Sequence, residues 1–434
     1  MKSLKQIRES PIFSSFMITT FGSGLSKVIL VLTTFFCTNM LTKVEFGGFS
    51  FIRNTLNTIL VICALNYVGL CVKFTAEAKY HERSSKWLIL LFGFSLALCL
   101  LVGLVLLVLP ASMMLSILGD ESLIRYFRLL GLFLPVFMVQ PLLEGVFRGL
   151  KKFKLISYMQ VGTSLAFFTF VAGGIYLKGY EGAVYGMLLY YLTYAVVSLI
   201  YALKLTNVRN FVSNNITGIW SEASVIWNMI LPMFLLSFVE APINWWAQVL
   251  LTKHDSLSAI GSMTAILQIR NLTTLIPNYF FSSFFAFAST YNAEGKYLEY
   301  FSKYKRLSVM FFVLSCVALL IYTQFDTFIL GLYGENYKTD SIPFFISNLS
   351  IPLMIVSSFL RGNLMVMEHQ KVMLFMSIFA SLLFIFVLYG GLISGISGIN
   401  AYFWGQFVQY AVMFGISFYI LKKDKSRLLG NKIK

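Results

Sequence analysis

Charge is scarce in this chain: 12% of its 434 residues are Asp, Glu, Lys or Arg, while 58% are hydrophobic and the mean hydropathy is +0.78. That balance excludes an ordinary soluble domain. Carboxylates are scarcest, 18 against 34 Lys and Arg, which leaves a net charge of +16. Cysteine is thin as well: Cys37, Cys63, Cys71, Cys99 and Cys316 lie in or at the ends of apolar runs, with no CxxC spacing and no histidine nearby. They read as small hydrophobes rather than as a disulfide framework or a metal site. The three histidines, His81, His254 and His369, are expected to stand isolated in loops. No GxxxxGK[ST], DxD, HExxH or GxSxG occurs; residues 22–27, GSGLSK, have too short a spacing to cradle a phosphate and lie inside an apolar run. The longest outward loop, about 326–341, is too short for a catalytic domain. The expectation is a protein that moves something across a membrane, with no catalytic residue, cofactor or metal.

What the chain has in quantity is long apolar runs, each sufficient to cross about 30 Å of hydrocarbon as a helix. They lack the alternation of a barrel wall. Twelve spans fit, roughly 12–38, 46–72, 87–109, 122–147, 155–177, 183–204, 223–251, 258–288, 307–325, 342–365, 372–390 and 398–421. The basic start MKSLKQIRES is followed by an apolar run without a small-residue cleavage site, so it reads as the lead into a retained first span. Lys and Arg crowd alternate segments, among them Lys73, Lys79, Arg83 and Lys86, then Arg148, Lys151, Lys152 and Lys154, then Lys422 to Lys434. The opposite segments hold only Lys43, Arg125, Arg128, Lys178, Lys253 and Lys338. The positive-inside rule accounts for this bias without nucleic acid, and it puts both termini in the cytoplasm.

An internal repeat organises the chain. Sliding it by half its length lays Ile52-Arg53-Asn54 on Ile269-Arg270-Asn271, and without a gap Ala76-Glu77 and Lys79-Tyr80 on Ala293-Glu294 and Lys296-Tyr297. Nearby offsets match Gly182 to Gly398, Tyr194-Ala195-Val196 to Tyr410-Ala411-Val412, and Arg148-Gly149 to Arg361-Gly362. Six spans per copy give both copies the same topology, hence parallel repeats. The expected architecture is an all-α polytopic membrane protein: two six-helix bundles, residues 1–205 and 222–434, around a central cationic cavity, joined by a cytoplasmic linker, 206–221.

The candidate substrate-binding residues are Lys27, Arg53, Asn57, Arg270 and Asn271. Arg53 and Arg270 lie several residues inside their spans, where a cation must face protein or water. Arg53 shares a helical face with Asn57, and Arg270 with Thr274. Both arginines could instead be structural, satisfied by carbonyls at a helix break. Lys27 is expected to be a third buried cation on a polar stripe with Thr20, Gly24 and Thr34; a helix-to-helix hydrogen bond is the other reading. Glu240, followed by a Pro242 expected to break its helix, could pair with a cation or carry a proton. Glu144 and Arg148, four apart, suit an intrahelical pair that could gate the inner mouth together with Arg361; plain loop anchoring is the alternative. Residues 76–86 and their copy read as amphipathic interfacial linkers.

The basic start before a first span with Gly22 and Gly24, the segment VEFGGFS opening the second span from Val44, and the Arg148-Gly149 and Arg361-Gly362 turns together resemble the Wzx-type O-antigen flippases. These are polysaccharide transporters of the multidrug/oligosaccharidyl-lipid/polysaccharide exporter superfamily. The resemblance spans essentially the whole chain. It implies an inner-membrane protein that carries undecaprenyl-pyrophosphate-linked repeat units from the cytoplasmic to the periplasmic leaflet by alternating access. The cationic cavity would hold the anionic head group on Lys27, Arg53 and Arg270, and Glu144 and Glu240 would be the candidates for ion coupling. It also implies a lipid-linked oligosaccharide and membrane lipids as partners, with a polysaccharide polymerase and a chain-length regulator beside them. A multidrug exporter of the same superfamily is the alternative, and a membrane glycan polymerase or glycosyltransferase a remoter one.

Overall fold

The structure is a computed structural model that describes residues 11–64, 67–78, 82–205, 218–367 and 369–430; some side chains within its helices, Glu240's among them, lie outside that description. The described chain is helical, with no strand among the described residues. By length and composition, eight helices can cross a membrane. One of these, Phe153–Leu205, holds two of the expected spans, and among the described residues three further long helices cover the remaining expected ones.

The chain divides into two compact units, Met1–Trp245 and Trp246–Lys434. In the first, α1 (Pro11–Met40) packs along α8 (Phe153–Leu205), and the second span runs as α2 (Lys43–Cys63) and α3 (Val68–Glu77). The third span is α4 (Glu82–Val108), followed by the short α5 (Ala111–Leu118); the fourth is α6 (Ser122–Phe137) continued by α7 (Val139–Gly149). The VEFGGFS segment opens α2 through a capping box: the Thr42 hydroxyl accepts from the Glu45 amide, and the Glu45 carboxylate accepts from the Thr42 amide at 2.8 Å. Two orphan donors are thereby satisfied at the start of the helix.

Helix α8 turns back on itself at Lys178 and Gly179, whose φ of 56° and ψ of −133° suit only glycine. This is the boundary expected between the fifth and sixth spans. Close approach elsewhere also depends on glycine. A side chain on Gly145 would begin 2.6 Å from the Cys71 Cβ and 2.9 Å from the Val68 carbonyl oxygen, and one on Gly149 would begin 2.6 Å from the Thr75 Cβ. The two glycines, four residues apart, make the small face by which α7 lies on α3, a packing that lipid-embedded helices favour because apolar tails give no hydrophobic drive.

Helix α9 (Leu231–Asp255) begins in the first unit and ends in the second, whose further spans are α10 (Leu257–Ala293), α11 (Tyr297–Gln324), the pair α13 (Ser341–Leu349) and α14 (Ile351–Val366), α15 (Gln370–Ile393) and α16 (Gly398–Gly430); the short α12 (Asp326–Gly331) precedes the pair. The order repeats that of the first unit down to its irregularities. The fourth span is interrupted at Met138 and the tenth at Ser350; each is preceded by a short helix, and each half ends in a hairpin with a positive-φ glycine, Gly179 or Gly395. The two repeat halves are thus visible in the fold as in the sequence.

Two expectations need correction. Pro242 does not break its helix: α9 runs through it. A proline removes one backbone hydrogen bond, and a helix can continue through that loss. Residues 76–86 and 293–303 are not separate helices where they are described: α3 ends at Glu77 and α4 begins at Glu82, with 79–81 outside the described residues, and in the copy one helix reaches Ala293 and the next begins at Tyr297. Within the expected linker, Ile219–Glu222 is a turn of 3-10 helix, and 206–217 lie outside the described residues.

Replacing Gly145 by valine is expected to cost about 1–3 kcal/mol through overpacking against Cys71 and Val68, read as a lower thermal midpoint of the purified protein. The same change at Gly24, whose surroundings are open to 4 Å, should leave the midpoint in place.

Candidate functional site

Helix α2 buries Phe46, Phe49, Ile52, Leu56 and Leu60. Arg53 and Asn57, off that apolar face, are half-buried and exposed, respectively. The Arg53 guanidinium carbon lies 5.9 Å from the Phe49 ring centre, and Tyr191 of the sixth span and Cys37 of the first stand near it. The Tyr191 hydroxyl donates to Asn57 Oδ1 at 3.2 Å. No carboxylate among the described residues comes within ion-pair distance of Arg53. The result is a cation, an amide and a phenol presented together by the second and sixth spans, with the guanidinium donors left for something else.

Arg270 has a different environment. It is 4% exposed. Its Nη1 donates to Gln406 Oε1 at 2.7 Å and lies 3.4 Å from Ser350 Oγ, and the guanidinium sits over the Tyr410 ring at 5.9 Å. Gln406 in turn donates to the Tyr402 hydroxyl at 2.9 Å. The Nε of Arg270 has no partner among the described residues, and no carboxylate pairs with it. Arg270 therefore ties α10 to the break between α13 and α14 and to α16, while its neighbour Asn271 is exposed. Thr274 does not join it: the Thr274 hydroxyl donates to the Asn271 carbonyl.

A third polar centre lies in the first unit. Arg148 Nη2 meets Glu144 Oε1 at 2.6 Å, as the four-residue spacing predicts. Glu144 also accepts from Gln140 Nε2 and from Gln160 Nε2, each at 3.2 Å, and Gln160 accepts from the Ser23 hydroxyl at 2.8 Å. The carboxylate thus collects the first, fourth and fifth spans, with Tyr194 of the sixth nearby. Gln140, Glu144 and Arg148 recur every four residues, a ladder legible in the sequence. Ser23 and Gln160 come from distant spans, and no local signal marks them.

The remaining candidates are more scattered. Lys27 is exposed, not buried, since it projects from a first span that packs mainly on α8. Arg361 is half-buried on α14 and makes no ion pair among the described residues. The side chain of Glu240 lies outside the described residues. Two of the histidines are not isolated: His254 Nδ1 lies 2.7 Å from Asp255, and His369 Nε2 lies 2.8 Å from the buried Asp424 carboxylate, while His81 lies outside the described residues.

A family model described as polysaccharide biosynthesis protein matches residues 12–289. No curated protein matches the chain. Among solved structures, an inward-facing multidrug resistance MATE family transporter of the MOP superfamily is similar at a TM-score of 0.76 and 14% identity, over 96% of this chain and 99% of that one. A MOP superfamily transporter from Pyrococcus furiosus, whose binding pocket of reverse polarity suggests a different function for it, is similar at 0.67 and 14%, over 99% of both chains. A Vibrio cholerae MATE transporter aligns at 0.61 and 12%, over 95% of both. At such identities the likeness is one of fold.

The two arginines should respond differently to removal of their partners. Gln406→Leu leaves the buried Arg270 without its nearest acceptor and is expected to cost about 2–4 kcal/mol, recovered in large part in the Gln406→Leu/Arg270→Leu double variant. Asn57→Leu beside the half-exposed Arg53 should cost less than about 1 kcal/mol. Thermal unfolding of the four proteins in one detergent measures both, and equal losses for Gln406→Leu and Asn57→Leu would contradict the assignment.

Proposed function

The chain belongs to the polysaccharide biosynthesis protein family, and from that premise we propose that it is a flippase for polyprenyl-pyrophosphate-linked oligosaccharides. The cargo class is that of O-antigen and similar surface-polysaccharide repeat units, carried from the cytoplasmic to the periplasmic leaflet of a bacterial inner membrane. A pyrophosphate and its sugars cannot enter hydrocarbon without losing hydration worth many kcal/mol. A protein that moves them must offer cations and amides in place of water, inside spans where both are costly to keep.

The observation that carries this reading is Arg53: a guanidinium within the second span, half-exposed, beside the exposed Asn57 amide, with no carboxylate to neutralise it among the described residues. It is assigned the head-group phosphate, which a guanidinium grips with paired donors. Asn57, Asn271 and the exposed Lys27 are assigned polar contacts to the sugars and phosphate. Arg270 holds its unit together and supports Asn271. Glu144 is the proposed coupling carboxylate, its charge held by Arg148 and two glutamines, and Glu240 the second candidate. Arg148 and Arg361 end the fourth and tenth spans on the proposed cytoplasmic side, where they gate entry. In this reading the halves 1–205 and 222–434 alternate about the 206–221 linker, both termini are cytoplasmic, and the polymerase and chain-length regulator receive the product.

The multidrug reading rests on the fold shared with MATE transporters. It is disfavoured by charge: cationic drugs would meet Arg53 with no carboxylate within ion-pair distance among the described residues. Loss of the protein is expected to pile up lipid-linked repeat units on the inner leaflet, reversed when it is restored, with drug sensitivity unchanged. Arg53→Ala should cut translocation at least about tenfold at unchanged abundance, while Arg53→Lys keeps part of it. Wild-type surface polysaccharide in the alanine variant would remove Arg53 from the binding role.

A further inference from the structure

On the second unit, α11, α14 and α16 leave an open slot of about 480 Å³, within the roughly 300–1,000 Å³ that small-molecule sites occupy. Its walls are Phe301, Tyr304, Val309, Phe312, Phe414 and Phe418, with Val356, Leu360 and Leu421 at the back. The walls are well fixed. Tyr304 stacks on Phe359 at 4.2 Å between ring centres, and its hydroxyl donates to the Phe359 carbonyl; Phe414 stacks on Phe418 at 5.9 Å. Val309, Phe312 and Phe418 remain about half exposed. Apolar surface of this kind on a membrane helix faces acyl chains.

One end of the slot is different. Lys305 near the start of α11, and Lys422 and Lys425 near the end of α16, line it together. All three are exposed, and none makes an ion pair among the described residues. Among the described residues no Asp, Glu, Asn or Gln lines the slot, and the Ser308 hydroxyl in its wall has no partner. Asp424, between two of the lysines in sequence, is buried and held by His369, so it does not neutralise them. The slot therefore joins a compact cationic rim to an apolar trough and lacks the amides and carboxylates that would bind sugars.

We propose that this slot is a binding site for an anionic glycerophospholipid, with the phosphate on Lys305, Lys422 and Lys425 and an acyl chain along Phe312 and Phe418. Basic residues at the mouth of an interhelical groove hold anionic lipid heads by charge, while the groove takes the chain. The rim lies at the helix ends that the positive-inside pattern assigns to the cytoplasm, so the lipid comes from the inner leaflet; only that choice of leaflet rests on the orientation proposed above. The substrate's own polyprenyl chain is the rival occupant, but its sugar-bearing head would find no polar contact here beyond the lysines and Ser308. A bound lipid would pin the start of α11 to the end of α16.

The test uses the full-length protein stripped of lipid in neutral detergent, with native mass spectrometry to follow bound phosphatidylglycerol, phosphatidylcholine or undecaprenyl phosphate. Phosphatidylglycerol should bind in preference to phosphatidylcholine. The Lys305→Gln/Lys422→Gln/Lys425→Gln variant should lose affinity roughly a hundredfold, about fivefold per lysine. The control Lys303→Gln/Arg306→Gln/Lys423→Gln, which removes neighbouring cations that do not line the slot, should keep it. If the triple variant fails to fold, the three single variants carry the same expectation at about fivefold each. Equal binding of the two phospholipids, undiminished binding by the slot variants, or an equal loss in the control would overturn the proposal. So would displacement of phosphatidylglycerol by undecaprenyl phosphate at lower concentration, which would assign the slot to the substrate.

Discussion

A charge carried into a bilayer by a helix must find its solvation inside the protein, and this chain has few carboxylates with which to supply it. Three arginines of the described spans meet that constraint in three ways. Arg148 is paired with Glu144 at 2.6 Å, in a network that also holds Gln140 and Gln160. Arg270 is wrapped by neutral partners, Gln406 and Ser350, under the face of Tyr410. Arg53 has an aromatic face and an open side. The degree of satisfaction orders them by what remains for a ligand. A paired guanidinium has little differential affinity to offer, while one that lacks acceptors gains the full strength of a charge-assisted bond when a phosphate arrives.

The same constraint shapes the backbone. Each broken span exposes carbonyls and amides that hydrocarbon cannot satisfy. The breaks at Met138 and Ser350 are mild, since both residues keep helical dihedrals, and the α8 hairpin is closed by glycines whose opposing carbonyls leave no room for a side chain. Polar side chains gather at these places: Ser350 at its break receives Arg270 and donates to the Ser347 carbonyl. Irregular backbone and buried charge are thus solved together rather than separately.

Much of the fold was legible because it follows from one-dimensional rules. Span length, charge bias between loops and the half-length repeat give twelve helices in two similar halves, and Gly179 marks the one break that the helix assignment bridges. The partners of the buried groups were not legible in this way. Gln406 stands 136 residues from Arg270 and Gln160 stands 137 from Ser23, and no periodicity connects residues at such range. Lys27 and His369 were misjudged for a related reason. Exposure of one and pairing of the other depend on which helix lies alongside, which is a property of packing and not of the local pattern.

The duplicated arginines show where a repeat stops being informative. In the register that lays Tyr194 on Tyr410, Gln406 occupies the place where the first half has Tyr190. A glutamine carbonyl there can take a guanidinium proton and draw the arginine inward, whereas Tyr190 packs its ring on Phe167 at 4.9 Å and on Tyr191 at 5.0 Å. The closing spans thus differ at this place, and the two arginines of common position differ with them, one bonded within its own unit and one with no hydrogen-bond acceptor among the described residues. Matching positions in the two halves preserve where a charge sits along the helix. What that charge can do is decided by the residue opposite it, and on that ground the proposed ligand chemistry is centred on Arg53 rather than shared equally with Arg270.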